Sequence, residues 1–299
     1  MRFLVTGANG LVGTRLCHQL IGKGHEVVGL GRGARRVGGE FPFVACELTD
    51  EGQTRSSIEA AKAEVIIHTA SMTEVDACEK NPVLAYASNV LAAAYVAQGA
   101  RATGAHLVHV STDYVFDGDH GPYGEDDIPN PRGVYSITKY LGEQSARVLA
   151  PSCAIARTAV VYGWPAAGRA NNGSWLVNAL RSGQEVRLFE DQYVTPSLAL
   201  SVASMLLELG ERKLTGVWNT AGADMVNRVE FGQAVCDLFG FNRRLLIPVK
   251  MADAKLPSPR PSRSALKPDK ARAQLASRPL GLADALALFH REYQSEPPR

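Results

Sequence analysis

Short apolar runs alternate with longer segments in which apolar residues recur every three or four positions, and this rhythm holds through the first half of the chain. Residues 2–6 form the first run and 14–21 the first helical pattern. Residues 26–30 and 43–46 read as the second and third strands, 53–62 as a helix and 64–70 as a fourth strand. A long Ala-rich helix follows Pro82 and ends near Thr103, a fifth strand covers 105–111, a helix carries Tyr135, and a sixth strand spans 153–161. Strand and helix in alternation predict βαβ units, hence an α/β fold: a Rossmann-like, doubly wound parallel sheet over residues 1–165. From Trp164 the rhythm changes. Helical patterns at 171–180, 197–209, 228–239 and 282–293 are interspersed with short strands at 185–189 and 216–221, a turn at 191–196 and a Pro/Arg-rich loop at 257–263. Residues 166–299 are expected to build a smaller, mixed substrate-binding lobe, with some elements returning to the first domain. A cleft between two such lobes is where small molecules usually bind.

The first strand runs directly into Gly7-Ala8-Asn9-Gly10-Leu11-Val12-Gly13 and then a helix. Strand, glycine turn and helix N-terminus in that order place backbone N–H groups and the positive helix end against a diphosphate, and the last glycine lets helix and strand approach. The turn therefore predicts a dinucleotide site at Gly7, Asn9, Gly10, Leu11, Val12 and Gly13. A preference for the unphosphorylated cofactor would call for an acid after the second strand. Here the chain reads Gly31-Arg32-Gly33-Ala34-Arg35-Arg36 instead. Guanidinium groups suit a 2′-phosphate by charge and bidentate geometry, so NADPH is expected, contacted by Arg32 first and Arg35 or Arg36 second, with NADH as the alternative. Later strand ends add Leu48 and Asp50, then Thr69, Ala70 and Ser71, as further cofactor candidates. His68, beside them, reads as a packed strand residue rather than a base.

The fifth strand ends at Thr112, and Tyr135 and Lys139 follow, four residues apart in a helix and so on one face. A phenol with an ordinary pKa near about 10 is a poor acid or base at neutral pH, and a neighbouring ammonium would bring it toward the working range. Thr112 could place a hydroxyl on the same reacting oxygen. Asn89 lies inside the Ala-rich helix, where an amide is unfavourable unless it bonds to something.

Composition narrows the picture by exclusion. Over 299 residues, 45% apolar and 21% charged, disorder is not expected, and a formal charge of +2 without long basic runs gives no nucleic-acid or membrane surface. The five cysteines carry no C-x-x-C spacing and read as free core thiols in a reducing compartment. The acids of the loop after Asp117 lack calcium-loop spacing, so no metal site is expected. Without a signal pattern or an uninterrupted membrane-length apolar run, the expected location is the cytoplasm.

Several longer motifs carry a family resemblance. They are the glycine turn, Thr73-Glu74-Val75-Asp76-Ala77-Cys78-Glu79, Ser111-Thr112-Asp113-Tyr114-Val115-Phe116-Asp117-Gly118, and Tyr135/Lys139 with Gly142-Glu143. To these add Arg157-Thr158 before Val161-Tyr162-Gly163, Asp191-Gln192, Thr195-Pro196, and Arg260-Pro261 with Ser264. Together they resemble the dTDP-4-dehydrorhamnose reductase family within the extended short-chain dehydrogenase/reductase superfamily. The resemblance implies an NADPH-dependent reductase acting on the C4 ketone of a nucleotide-diphosphate sugar, with Thr112, Tyr135 and Lys139 as the catalytic set and Asn89 as the supporting amide. It implies sugar-nucleotide contacts at Thr73, Val75, Asp76, Asp113, Tyr114, Gln192 and Arg260, and it leaves a homodimer open. One departure stands out: Val160 occupies a position where the family usually has Trp, and with His68 and Met72 it bears on the sugar rather than on the reaction. Two other readings share the motifs. One is another nucleotide-sugar ketoreductase or epimerase; the other is a non-catalytic regulatory subunit resembling the β subunit of methionine adenosyltransferase.

Overall fold

The chain begins with β1 (Arg2–Thr6), α1 (Leu11–Gly22), β2 (Glu26–Gly31), β3 (Phe43–Ala45), α2 (Glu51–Ala61) and β4 (Val65–His68). Next come α3 (Val75–Lys80), α4 (Pro82–Tyr86), a π-helical turn at Ala87–Leu91, α5 (Ala92–Thr103), β5 (His106–Thr112), α6 (Val134–Leu149) and β6 (Cys153–Thr158). The second half holds β7 (Val161–Tyr162), α7 (Asn172–Arg181), β8 (Val186–Phe189), β9 (Tyr193–Val194), β10 (Ser197–Leu198), α8 (Ala199–Glu211) and β11 (Gly216–Asn219). It closes with β12 (Val226–Asn227), α9 (Arg228–Phe239), β13 (Leu246–Val249), α10 (Asp269–Gln274) and α11 (Leu282–Ser295). This computed structural model describes residues 1–295 apart from 37, 40 and 166–169. The boundary expected at 165–166 abuts residues outside that description.

Seven parallel strands form one sheet in the order β3-β2-β1-β4-β5-β6-β11. Helices cover both faces, which is why β1, β4 and β6 read as nearly continuous apolar runs. On one face α1 and α8 meet, and Leu16, Leu20, Val202, Leu206 and Leu209 pack on Phe3, Val5 and Ile67. On the other, α2, α5 and α6 bury Ile58, Val96, Ala100 and Ala146 against Leu4, Ile66, Leu107 and Ile155. Both α8 and β11 come from the second half of the sequence. A separate core joins α7, α9 and α11 around Tyr162, Leu176, Phe231 and Phe289, alongside the small pairs β7–β10 and β8–β13. Strand order reverses between β1 and β4, and the crevice at the carboxyl ends of these strands is the ligand position of a doubly wound sheet.

The sixth strand is shorter than the sequence suggests. It stops at Thr158, because Val160 takes φ 40° and turns the chain into β7, outside the main sheet. Left-handed backbone is costly for a β-branched residue. The Val160 carbonyl is pinned there by the Ser197 N–H at 3.2 Å. The helical run Pro82–Thr103 is 22 residues long with a mean hydropathy of 1.2 in its most apolar window, enough by length and composition to cross a membrane. Half of that window is buried inside the protein, and its α5 portion packs on α2 and α6. Helix continuity through the π-helical turn produces this length, although Ser88 and Asn89 interrupt the apolar sequence.

Candidate active site

Backbone geometry at the end of β1 prepares a surface for a diphosphate. Gly7 has φ +69°, and a Cβ there would meet Thr69 Oγ1 at 2.7 Å and the Ala70 nitrogen at 2.9 Å. A Cβ on Gly13 would lie 2.2 Å from the Gly7 carbonyl oxygen. Helix α1 starts at Gly10 without a side-chain cap, so its first N–H groups, from Leu11 to Gly13, face outward with the positive end of the dipole. This glycine-lined surface with its uncapped donors fits a dinucleotide pyrophosphate. Asn9 stabilises the neighbouring loop: its amide donates to the Ala34 carbonyl at 3.1 Å and accepts the Arg36 N–H at 2.9 Å. Arg32 extends into solvent beyond β2. Arg35 turns inward, stacked 4.1 Å from the Phe41 ring and donating to the Phe41 carbonyl at 2.9 Å. Of the two guanidinium groups, Arg32 is therefore the better placed for a 2′-phosphate.

The other expected cofactor contacts divide by structural duty. Thr69 donates to the Thr6 carbonyl at 2.7 Å, which holds the loop of Thr69, Ala70 and Ser71 against Gly7. Leu48 is buried in the core under α2. Asp50 caps α2 by accepting the Gln53 N–H at 2.9 Å.

At the end of β5 the catalytic candidates converge. Thr112 is buried and donates to Asp113 Oδ1 at 3.1 Å, and its hydroxyl lies close enough to the Tyr135 phenol to influence its titration. Tyr135 packs edge-on against Tyr114, ring centroids 5.8 Å apart, with Cys78, Met72 and Val75 around it. Burial drives the phenol well above its ordinary pKa, while the nearby Thr112 hydroxyl opposes the shift. The expected lowering by Lys139 is not what the geometry delivers. That ammonium, buried one turn along α6, donates to the Val110 carbonyl at 2.8 Å. Burial lowers the Lys139 pKa to about 8, with Glu143 and Cys78 pulling it back up, so it is mostly charged at neutral pH. Tyr135 is thus held as a neutral phenol, the form that can give a proton to an alkoxide. Asn89 uses its whole amide: Oδ1 accepts the Met72 N–H at 2.8 Å, and Nδ2 donates to Met72 O at 3.2 Å and Thr138 Oγ1 at 3.1 Å. The π-helical turn directs this amide away from the helix ladder, binding the loop after β4 to α6.

The opposite wall comes from the second half of the chain. Asp113 is buried and accepts Ser264 Oγ at 2.5 Å. Buried Gln192 donates to the Tyr114 hydroxyl at 3.3 Å and accepts Arg228 Nε at 2.9 Å. Arg260 pairs with Asp76 at 2.9 Å. Arg228 was not among the sequence candidates. Burial lowers its pKa, opposed by Tyr114 and Asp113, while Arg260 adds to the lowering, so both guanidinium groups face one region. The available signal was its position: an arginine at the first residue of a helix opposes the dipole and needs another reason to be there. Val75 packs beside Tyr135, Thr73 is exposed, and Val160 is half-buried at the left-handed turn. Among the described residues no group of three His, Cys, Asp or Glu side chains could hold a metal ion.

Asp113 gives a pH test. Burial, partly opposed by the Ser264 and Thr112 hydrogen bonds and by Arg228, raises its pKa from 3.8 to about 6. A carboxyl raised on folding favours the native state when protonated. Its contribution is full below the unfolded value and disappears as pH climbs through about 6. Asp113→Asn should therefore gain stability over the parent between pH 4 and 6, reaching about 1–3 kcal/mol at pH 8. Urea midpoints measured from pH 4 to 8 check this; a constant difference would contradict it.

The model of the RmlD substrate binding domain matches residues 1–295. The chain is 34% identical to the probable low-salt glycan biosynthesis reductase Agl14 of Haloferax volcanii, over 96% of either chain. It is 32% identical to the dTDP-4-dehydrorhamnose reductase of Mycobacterium tuberculosis, over 89% of this chain and 84% of that one. Identity is also 32% with the methionine adenosyltransferase 2 subunit beta of Xenopus laevis, over 83% and 75%. Among solved structures, the dTDP-4-dehydrorhamnose reductase of Bacillus anthracis in complex with NADP superposes with a TM-score of 0.86 at 26% identity, covering 97% of this chain and 99% of that one.

Proposed function

The chain belongs to the RmlD substrate binding domain family, as an NADPH-dependent reductase of nucleotide sugars, and on that premise we propose that it reduces the C4 ketone of a nucleotide-linked 4-keto-6-deoxyhexose, dTDP-4-dehydrorhamnose or a close relative. The observation that carries the reading is the pairing of a buried, neutral Tyr135 phenol with the Thr112 hydroxyl at the carboxyl end of β5, two strands from the strand that ends in the glycine turn. A nicotinamide cofactor held at Gly7–Gly13 would supply hydride chemistry at the carbonyl carbon. Thr112 and Tyr135 then face the carbonyl oxygen, where negative charge grows. Donors aimed at that atom are worth more in the transition state than in the ground state. Tyr135 gives its proton to the forming alkoxide, so hydride and proton together make the alcohol. Lys139, held one turn along α6 by the Val110 carbonyl, keeps donors for the nicotinamide ribose. Arg228 and Arg260 carry the charge that suits a diphosphate, and Asp113, Tyr114 and Gln192 line the path to the sugar.

The test is NADPH oxidation that depends on an added nucleotide 4-keto-6-deoxyhexose; none with a panel of such sugars would sink the reading. That outcome would favour a binding role like that of the methionine adenosyltransferase β subunit, which the similarity to the Xenopus protein keeps in play.

Arg32 provides a separate check on the cofactor. Hydrogen bonds to a charged group contribute about 1.5–3 kcal/mol, which is roughly 10- to 150-fold in affinity. Arg32→Gln should weaken NADPH binding by that factor and leave NADH binding within about twofold, read by fluorescence titration of both.

A further inference from the structure

Helix α6, which carries Tyr135, is capped from a distant part of the chain. Its N-cap, Gly133, has no side chain to offer, and no acid lies in the first turn. Instead Glu79, 55 residues earlier, accepts the Val134 N–H on Oε2 at 3.0 Å. A carboxylate there satisfies one of the orphan donors of the first turn and faces the positive end of the dipole. Val134 immediately precedes Tyr135, so the cap acts on the turn from which the phenol is aimed.

The cap sits in a three-way junction. Gly133 has φ +86°, and a Cβ on it would meet Ser258 Oγ at 2.8 Å, Glu79 Oε2 at 3.3 Å and Pro259 Cδ at 3.3 Å. One turn before Glu79 on α3, Asp76 pairs with Arg260 at 2.9 Å, and Arg260 donates to the Ser258 carbonyl at 3.0 Å. Two carboxylates three positions apart share one side of a helix. Through them α3 connects the Ser258–Arg260 loop to the start of α6.

We propose that Glu79 is a positioning residue for Tyr135: by capping α6 from α3 it fixes the first turn where the phenol meets the carbonyl oxygen, and the Asp76–Arg260 pair ties that placement to the loop facing the nucleotide. This deepens the reading of the site as a nucleotide-sugar reductase and rests on it. Displacing a reacting group by about 1 Å costs on the order of 10²-fold in rate, so a frayed first turn has a kinetic signature even in a folded protein.

Glu79→Ala and Glu79→Gln in the full chain separate placement from stability. One readout is amide hydrogen exchange at residues 134–138 in the free protein. The other is the single-turnover rate constant for NADPH oxidation with a nucleotide 4-keto-6-deoxyhexose, whose amplitude reports the folded fraction and whose rate reports the chemistry. Glu79→Ala should speed exchange in that turn and slow the single-turnover rate about 10- to 100-fold, with NADPH affinity unchanged. Glu79→Gln, whose amide oxygen can still accept the Val134 N–H, should restore the rate to within about threefold. A wild-type rate in Glu79→Ala, or a loss confined to amplitude, overturns the proposal. Unchanged exchange overturns the cap even if the wild-type protein reduces no sugar, a result that would count against the proposed function alone.

Discussion

Replacing Tyr135 by Phe is expected to lower kcat by about 10²- to 10⁴-fold, the usual contribution of a general acid, while NADPH affinity stays within about twofold. The ring packs against Tyr114, Cys78, Met72 and Val75 through its carbon atoms. Phe preserves those contacts and removes only the hydroxyl. Loss of the phenol also removes a buried polar group whose neutral form is favoured by its surroundings, so the variant should be no less stable than the parent. Stopped-flow NADPH oxidation with a saturating nucleotide 4-keto sugar, together with cofactor titration, measures both quantities. Retained turnover would remove Tyr135 from the mechanism. A parallel fall in cofactor affinity would place its role in binding instead.

The largest expected effect on stability lies one layer below, at Arg157 and Glu143. The guanidinium of β6 meets the carboxylate of α6 through two hydrogen bonds, Nε to Oε1 at 3.0 Å and a terminal nitrogen to Oε2 at 2.9 Å. Their side chains are only 2% and 0% exposed. Phe116 lies under the guanidinium at 5.1 Å. Breaking such a pair leaves one buried charge uncompensated, which typically costs about 3–5 kcal/mol, whereas replacing both partners with apolar groups is often neutral. Arg157→Met should therefore destabilise by about 3–5 kcal/mol, and Arg157→Met with Glu143→Met should recover most of that loss. Urea unfolding of the two single variants and the double variant checks the cycle; additive losses would mean that the pair is not an isolated charge unit. Because Glu143 also raises the pKa of Lys139, the single variant Glu143→Met should in addition bring the loss of the Lys139 charge to lower pH.

Much of the site can be seen along the chain because it depends on local geometry. The glycine turn at Gly7, Gly10 and Gly13 needs only a strand, a left-handed residue and a helix start, all encoded within one short segment. Tyr135 and Lys139 share a face because of helical spacing, and Thr112 ends a strand whose Leu107, Val108 and Val110 mark it as one in the sequence. The same holds for the order of strands and helices in the first half, since a parallel strand buried on both faces must be apolar throughout.

What spacing could not provide is the direction in which a charged group acts. Helical spacing predicts Lys139 as the partner of the phenol, but packing aims it at the Val110 carbonyl, and burial rather than the cation dominates the Tyr135 proton. The sequence places Arg32 and Arg35 in one short loop, but it is the packing that stacks Arg35 on Phe41 and leaves Arg32 in solvent. Gln192 reaches Tyr114 and Ser264 reaches Asp113 across long stretches of chain, and Arg228 reaches Gln192. Sequence by itself determined the glycine turn, the βαβ order and the shared helical face of Tyr135 and Lys139, because each follows from backbone geometry over a short segment. Tertiary structure alone decided which charges meet, which polar groups lose water, and which carboxylate caps the helix of Tyr135, because burial and through-space contact depend on where separate elements come to rest.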